Sequence, residues 1–156
     1  MKKIAILGDG QIWDVSGIDE KNPKIMFEDL FSGRALGESA RLFDRLALKK
    51  YGRTLFAQFK EKGKLEVTGV CVTRALLNKK DKLSREAAET LLKEMAGDAA
   101  RGIELLATGK ARKRGWGPKE YGQWKDLQAV IIGAGVSTGK TGAVIIKAIK
   151  DYLRKR

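Results

Sequence analysis

The residues whose types and spacing could do chemistry cluster near the end of the chain, in Ala134-Gly135-Val136-Ser137-Thr138-Gly139-Lys140-Thr141. Ala134-x-x-x-x-Gly139-Lys140-Thr141 matches a relaxed P-loop pattern in which alanine replaces the first glycine. In that chemistry backbone amides cradle phosphates, Lys140 reaches the terminal ones and Thr141 binds Mg²⁺. The placement argues against it. Only Gly142 to Arg156 follows, enough for a helix but not for the later strand whose aspartate would complete the metal site, and no upstream apolar strand ends in such an aspartate.

The elements that must position these residues are legible on either side. Ala129-Val130-Ile131-Ile132 is a short β-branched run bounded by glycines and reads as a buried strand, Gln128 to Ile132. After Gly139, apolar residues at Val144, Ile145, Ala148, Ile149 and Tyr152 predict an amphipathic helix. Between them, Gly133 to Gly139 forms a loop where missing side chains let a ligand reach the backbone and helix N-terminal amides point outward.

Composition narrows the remaining choices. The 156 residues, 43% of them hydrophobic, suffice for one domain, 1–156, with its own core. With no histidine, His-based catalysis and His-bearing zinc sites are excluded. The single cysteine, Cys71, lies between Val70 and Val72 and reads as a small buried hydrophobe. No apolar run reaches the roughly 18 residues of a membrane span and no signal-peptide pattern opens the chain, so a cytoplasmic location without membrane partners is expected.

The formal charge of +13 favours anionic partners such as nucleotides, nucleic acid or acidic lipid surfaces. Lys110 to Lys125, where basic residues interleave with Trp116, Tyr121 and Trp124, would suit phosphates and stacked bases. Solvated basic ends and loops account for the same charge more simply.

Along the rest of the chain, Lys3 to Leu7 and Gln11 to Val15 flank Gly8-Asp9-Gly10, which predicts a β-hairpin. A dinucleotide fingerprint beginning at Gly8 fails because Trp13 stands where its third glycine should be. A helix is expected from Met26 to Lys50, with Gly33 and Gly37 one turn apart and a break or close packing at Ser32-Gly33, and Gly52 ends it. Short helices follow at Thr54 to Lys60 and Thr68 to Leu77. Ser84 is the expected N-cap of a long helix, Arg85 to Ala107, in which Gly97 and Gly102 would admit a close neighbour. Thr108 to Tyr121 reads as a loop. The fold expected is therefore α/β and rich in helix, with a small sheet from the hairpin and the Gln128 to Ile132 strand packed by the Ser84 and Lys140 helices.

Two segments together resemble a known family. Val130-Ile131-Ile132-Gly133-Ala134-Gly135-Val136-Ser137 resembles the glycine-rich adenosine motif of the repressor, ORF and kinase (ROK) family of sugar kinases. Phe27-Glu28-Asp29-Leu30-Phe31-Ser32-Gly33-Arg34-Ala35-Leu36 is similar to that family's apolar-Glu-x-x-x-Ser-Gly-x-Ala segment. The resemblance runs from about Gly17 to Leu153. It implies the C-terminal, nucleotide-binding lobe of a two-lobed kinase with the ribonuclease H-like, actin-like ATPase fold.

That resemblance implies a nucleotide site of Gly133, Ala134, Gly135, Val136, Ser137 and Gly139, in which Gly133, Gly135 and Val136 pack against adenine and ribose, and it implies that Glu28 accepts hydrogen bonds from sugar hydroxyls. ATP with Mg²⁺ would be the cofactors and a sugar the acceptor, and a homodimer is compatible with it. The family's phosphate motif, catalytic aspartate and Glu-x-x-His element would lie upstream of Met1, and Ser16 to Pro23 stands where its one-His, three-Cys zinc site would be. No catalytic residue and no metal ligand is therefore assigned, and a lone lobe of this kind would not turn over.

Overall fold

The computed structural model describes residues 4–6, 13–14, 27–108, 112–113, 129–131 and 139–155. Helices dominate them. A short helix α1 (Phe27–Leu30) precedes α2 (Gly33–Tyr51), a 3₁₀ turn at Ala57–Phe59, α3 (Gly69–Leu77), the long α4 (Lys82–Ala107) and α5 (Gly139–Arg154). The strands among the described residues are β1 (Ile4–Ile6), β2 (Trp13–Asp14), β3 (Arg112–Lys113) and β4 (Ala129–Ile131).

The expected α/β architecture, and with it the actin-like lobe, is overturned. The described strands are two isolated pairs of two or three residues, too short to offer a face that helices could cover. The helices instead satisfy one another's apolar stripes. The expected hairpin is not formed either: β1 pairs in parallel with β4, while β2 pairs antiparallel with β3 inside the stretch read as a loop.

The core lies around α4. Ala87, Ala88, Leu91, Leu92, Met95, Ala96, Ala99, Ala100 and Ile103 are all buried, a stripe three to four residues wide per two turns that runs along most of the helix. The width follows from its neighbours, because α1, α2, α3 and α5 all pack against it. The run of alanines lets those helices approach closely. From α2 come Leu36, Ala40 and Ala47, from α3 Cys71, Val72, Ala75 and Leu76, and from α5 Ile145 and Ile149.

Local chemistry sets the helix ends. The expected break falls at Phe31-Ser32, where the Ser32 hydroxyl accepts the Ala35 amide at 3.0 Å and caps α2. Gly52, with φ of 70°, closes the same helix in the left-handed conformation that glycine adopts freely. Of the helix expected over Thr54 to Lys60, only the 3₁₀ turn forms, with the Asp44 carboxylate accepting the Leu55, Phe56 and Ala57 amides. Helix α4 starts before the expected cap: Asp81, not Ser84, accepts the first-turn amide, and Ser84 is buried one turn inside.

Glycine contacts sharpen the α2–α3 junction. A Cβ on Gly37 would lie 3.2 Å from the Gly69 nitrogen and the Thr68 Cα, so α2 approaches the start of α3 closely at this position. The close neighbour expected at Gly97 is not there, since a Cβ at that position would meet nothing within 4 Å.

Candidate nucleotide-binding site

The parallel register of β1 and β4 organises the candidate site. Ile4 faces Ala129, Ala5 faces Val130 and Ile6 faces Ile131, so both chains leave the pair at the same end. After Leu7 the first chain enters Gly8-Asp9-Gly10, and after Ile132 the second enters Gly133-Ala134-Gly135. In sequence, a glycine-rich stretch thus follows each of the two paired strands, Gly8-Asp9-Gly10 after β1 and Gly133-Ala134-Gly135 after β4. Gly133, Ala134, Gly135, Val136 and Ser137 themselves lie outside the described residues.

Gly139, the first residue of α5, is exposed with φ of 59°, a conformation that disfavours any side chain although a Cβ there would touch nothing. Lys140 is exposed beside it. Thr141 is not: it is 5% exposed, and its hydroxyl donates to Thr73 Oγ1 on α3 at 3.3 Å. A threonine oriented into a helix interface in this way is poorly placed to bind a metal ion in solvent. Gly142 is buried next to it, and the turn continues into the Ile145 and Ile149 contacts with the core.

Glu28 belongs to α1, which packs on α2, α4 and β2. Helices α1 and α5 therefore share α4 as a common neighbour. Nearby, Arg34 bridges Asp29 at 2.8 Å and Glu38 at 3.0 Å, and both partners raise the guanidinium's pKa, Asp29 foremost.

Two concave regions border these elements. A cleft between α1, α2 and α4, lined by Leu30, Ala35, Leu36, Ser39, Leu91, Glu94, Met95 and Asp98, encloses about 70 Å³. That is far below the roughly 300 Å³ of a small-ligand pocket, so it admits water and not a nucleotide. A wider open groove of about 350 Å³ runs along the outer face of α5 between Ala143 and Arg154.

Sequence reasoning missed the polar groups that hold the scaffold in shape. Asp81 receives Arg53 through two bonds of 2.8 and 3.0 Å, together with the Ser84 hydroxyl and amide. The Arg53 guanidinium above all, helped by Ser84, holds the Asp81 carboxyl well below the usual carboxylate range against the opposing effect of burial. The two partners are 28 residues apart, and no short-range pattern announces such a pair.

Among the described residues no group of three or more His, Cys, Asp or Glu side chains is arranged to hold a metal ion, and no helix is long and apolar enough to cross a membrane. Compared with protein-family models, curated proteins and solved structures, the chain finds no match.

Proposed function

We propose that the chain binds an adenine nucleotide where β4 runs into α5, with Gly133, Ala134, Gly135, Val136, Ser137 and Gly139 against base and ribose. The observation that supports it most is the parallel β1–β4 register, in which each paired strand is followed in sequence by a glycine-rich stretch, Gly8-Asp9-Gly10 and Gly133-Ala134-Gly135. Gly139 adds a left-handed backbone conformation at the exposed start of α5. Backbone amides without side chains suit a flat base and an anionic ligand.

The nucleotide is ATP, and the reaction it serves is Mg²⁺-dependent phosphoryl transfer to a sugar hydroxyl, with Glu28 contacting the sugar. This part of the proposal rests on the two ROK-like segments alone, since a helical fold lends it nothing. A P-loop mode is the weaker alternative, because Thr141 is directed at Thr73.

Calorimetry with ATP and ADP tests the site. Gly135→Val should weaken binding by about tenfold or more, equivalent to about 1.4 kcal/mol, by filling the space of the base. Lys140→Ala should change affinity by no more than about twofold in this mode, whereas a P-loop would lose binding. Unchanged affinity in Gly135→Val would refute the pocket. Glu28→Gln should weaken sugar binding and leave nucleotide affinity alone.

A further inference from the structure

The charge of the chain is not spread evenly over its helices. On α4 the outward residues mix both signs, with Lys82 paired to Glu86, then Glu89, Lys93, Glu94 and Asp98 beside Arg101. On α5 and the residue after it, Lys140, Lys147, Lys150, Arg154 and Lys155 are all exposed, and Asp151 is the single acid of residues 139–155.

Lys147, Lys150 and Arg154 are three and four positions apart and therefore lie along one face. Lys140 extends that row by two turns, to a length of about 21 Å at 1.5 Å per residue. Asp151 meets Lys147 at 2.8 Å and Arg154 at 4.0 Å, while Lys140 and Lys150 have no carboxylate partner among the described residues. Lys147, Lys150 and Arg154 line the open groove together with the exposed Ala143 and the half-buried Ile146.

We infer that this outer face of α5 binds the phosphodiester backbone of a nucleic acid, independently of base sequence. Charge complementarity selects a polyanion, since a regular row of about 21 Å faces several successive phosphates of a strand whose duplex carries one charge per about 1.7 Å. The burial of α5 selects against a lipid surface. A helix that lies in a membrane must give its apolar side to the bilayer, and here Ile145 and Ile149, 0% and 3% exposed, are committed to the protein core. Among the described residues no aromatic side chain lines this groove to read or stack a base, so the contact is electrostatic.

Fluorescence anisotropy of the intact chain with a 20-base-pair DNA duplex, an RNA duplex of the same length and a single-stranded RNA tests this, at salt concentrations between 50 and 200 mM. With about four phosphates neutralised, affinity should fall roughly 150-fold over that range, from a slope of about −0.9 per phosphate. Lys150→Gln combined with Arg154→Gln should reduce the fall to about 12-fold and weaken binding at 50 mM. Both positions are exposed, and circular dichroism confirms that the variant folds.

Arg45→Gln combined with Lys49→Gln removes the same charge from an exposed part of α2 and should leave the salt dependence as in the wild type. The three polymers show whether duplex or single strand supplies the phosphates. The inference is overturned if no polymer binds at 50 mM, if the α5 variant behaves as the wild type, if both double variants lose equally, or if only phosphatidylserine vesicles bind.

Discussion

The Asp44 carboxylate lies in the middle of α2, yet it closes the turn that follows the helix: its Oδ1 accepts the Leu55 amide at 2.7 Å. The same group accepts Phe56 at 2.8 Å and Ala57 at 2.9 Å, and it is only 6% exposed. The bonds seat Leu55 and Phe56, both fully buried, beneath α2, with the Phe43 and Phe56 rings edge to face at 6.0 Å. Replacing Asp44→Ala would leave buried donors unpaired and should destabilise the fold by about 3 kcal/mol. Asp44→Asn keeps one acceptor and should cost about half as much. Urea denaturation with an unchanged m-value checks both, and a loss below about 1 kcal/mol for the alanine variant would contradict this role.

Asp81 makes stability depend on acid. Its folded-state pKa is depressed, with Arg53 as the first cause, so the stabilisation is present above the unfolded-state value of about 4 and is lost as pH falls through the folded one. Arg53 is partly exposed, and solvent screening limits the pair to about 1 kcal/mol. Arg53→Gln should therefore be less stable than the wild type at pH 7, with the gap closing as pH falls from about 5 to about 2. Thermal melts of the two proteins across that range measure it. A gap that persists in acid would mean that Arg53 acts through packing.

Three glycines at one junction should respond with different signs. A Cβ on Gly69 would come within 2.9 Å of the Gly33 carbonyl oxygen, and one on Gly37 would press on the Thr68-Gly69 backbone. Gly69→Ala should therefore destabilise by about 1 to 3 kcal/mol, because backbone cannot swing aside as a side chain can. Gly33→Ala meets open space and should stabilise by about 0.5 kcal/mol through helix propensity. Denaturation midpoints that move in the same direction for both would refute the close approach.

The seating of α5 decides where Gly139 and Lys140 stand. Ile145 is completely buried against the core, and Ile145→Ala should cost about 3 kcal/mol. Thr141→Val keeps the volume but deletes the hydroxyl that donates to Thr73, and should cost about 1 kcal/mol. Proteolysis should detect release of α5 in the first variant before the second. Equal susceptibility of both to the wild type would mean that these contacts do not anchor the helix.

Much of the helical framework was legible in the residues themselves. The apolar spacing of Ala87, Leu91, Met95, Ala99 and Ile103 marks the buried side of α4, and Ile145 and Ile149 mark that of α5. The break after Phe31 and the glycine stop at Gly52 follow from caps and φ preferences, which act within a few residues. The candidate site was legible only as a strand, a glycine loop and a helix. Of its proposed contacts, Gly139 has the backbone conformation that requires glycine, while Gly133 to Ser137 lie outside the described residues.

What the tertiary structure alone decided is how these pieces pair. Gly8-Asp9-Gly10 signals a hairpin locally, yet β1 takes β4 as its partner from far along the chain, and β2 takes β3. Asp44 was another helix residue until the Leu55 to Ala57 amides met it, and Thr141 another hydroxyl until Thr73 did. Periodicity and capping are properties of neighbouring residues, and the sequence by itself determined them. Strand partners, buried carboxylates and the sheet-or-helix choice for the core depend on which distant surfaces bury each other, and here the stripes of α2, α3, α4 and α5 left no apolar face for a sheet.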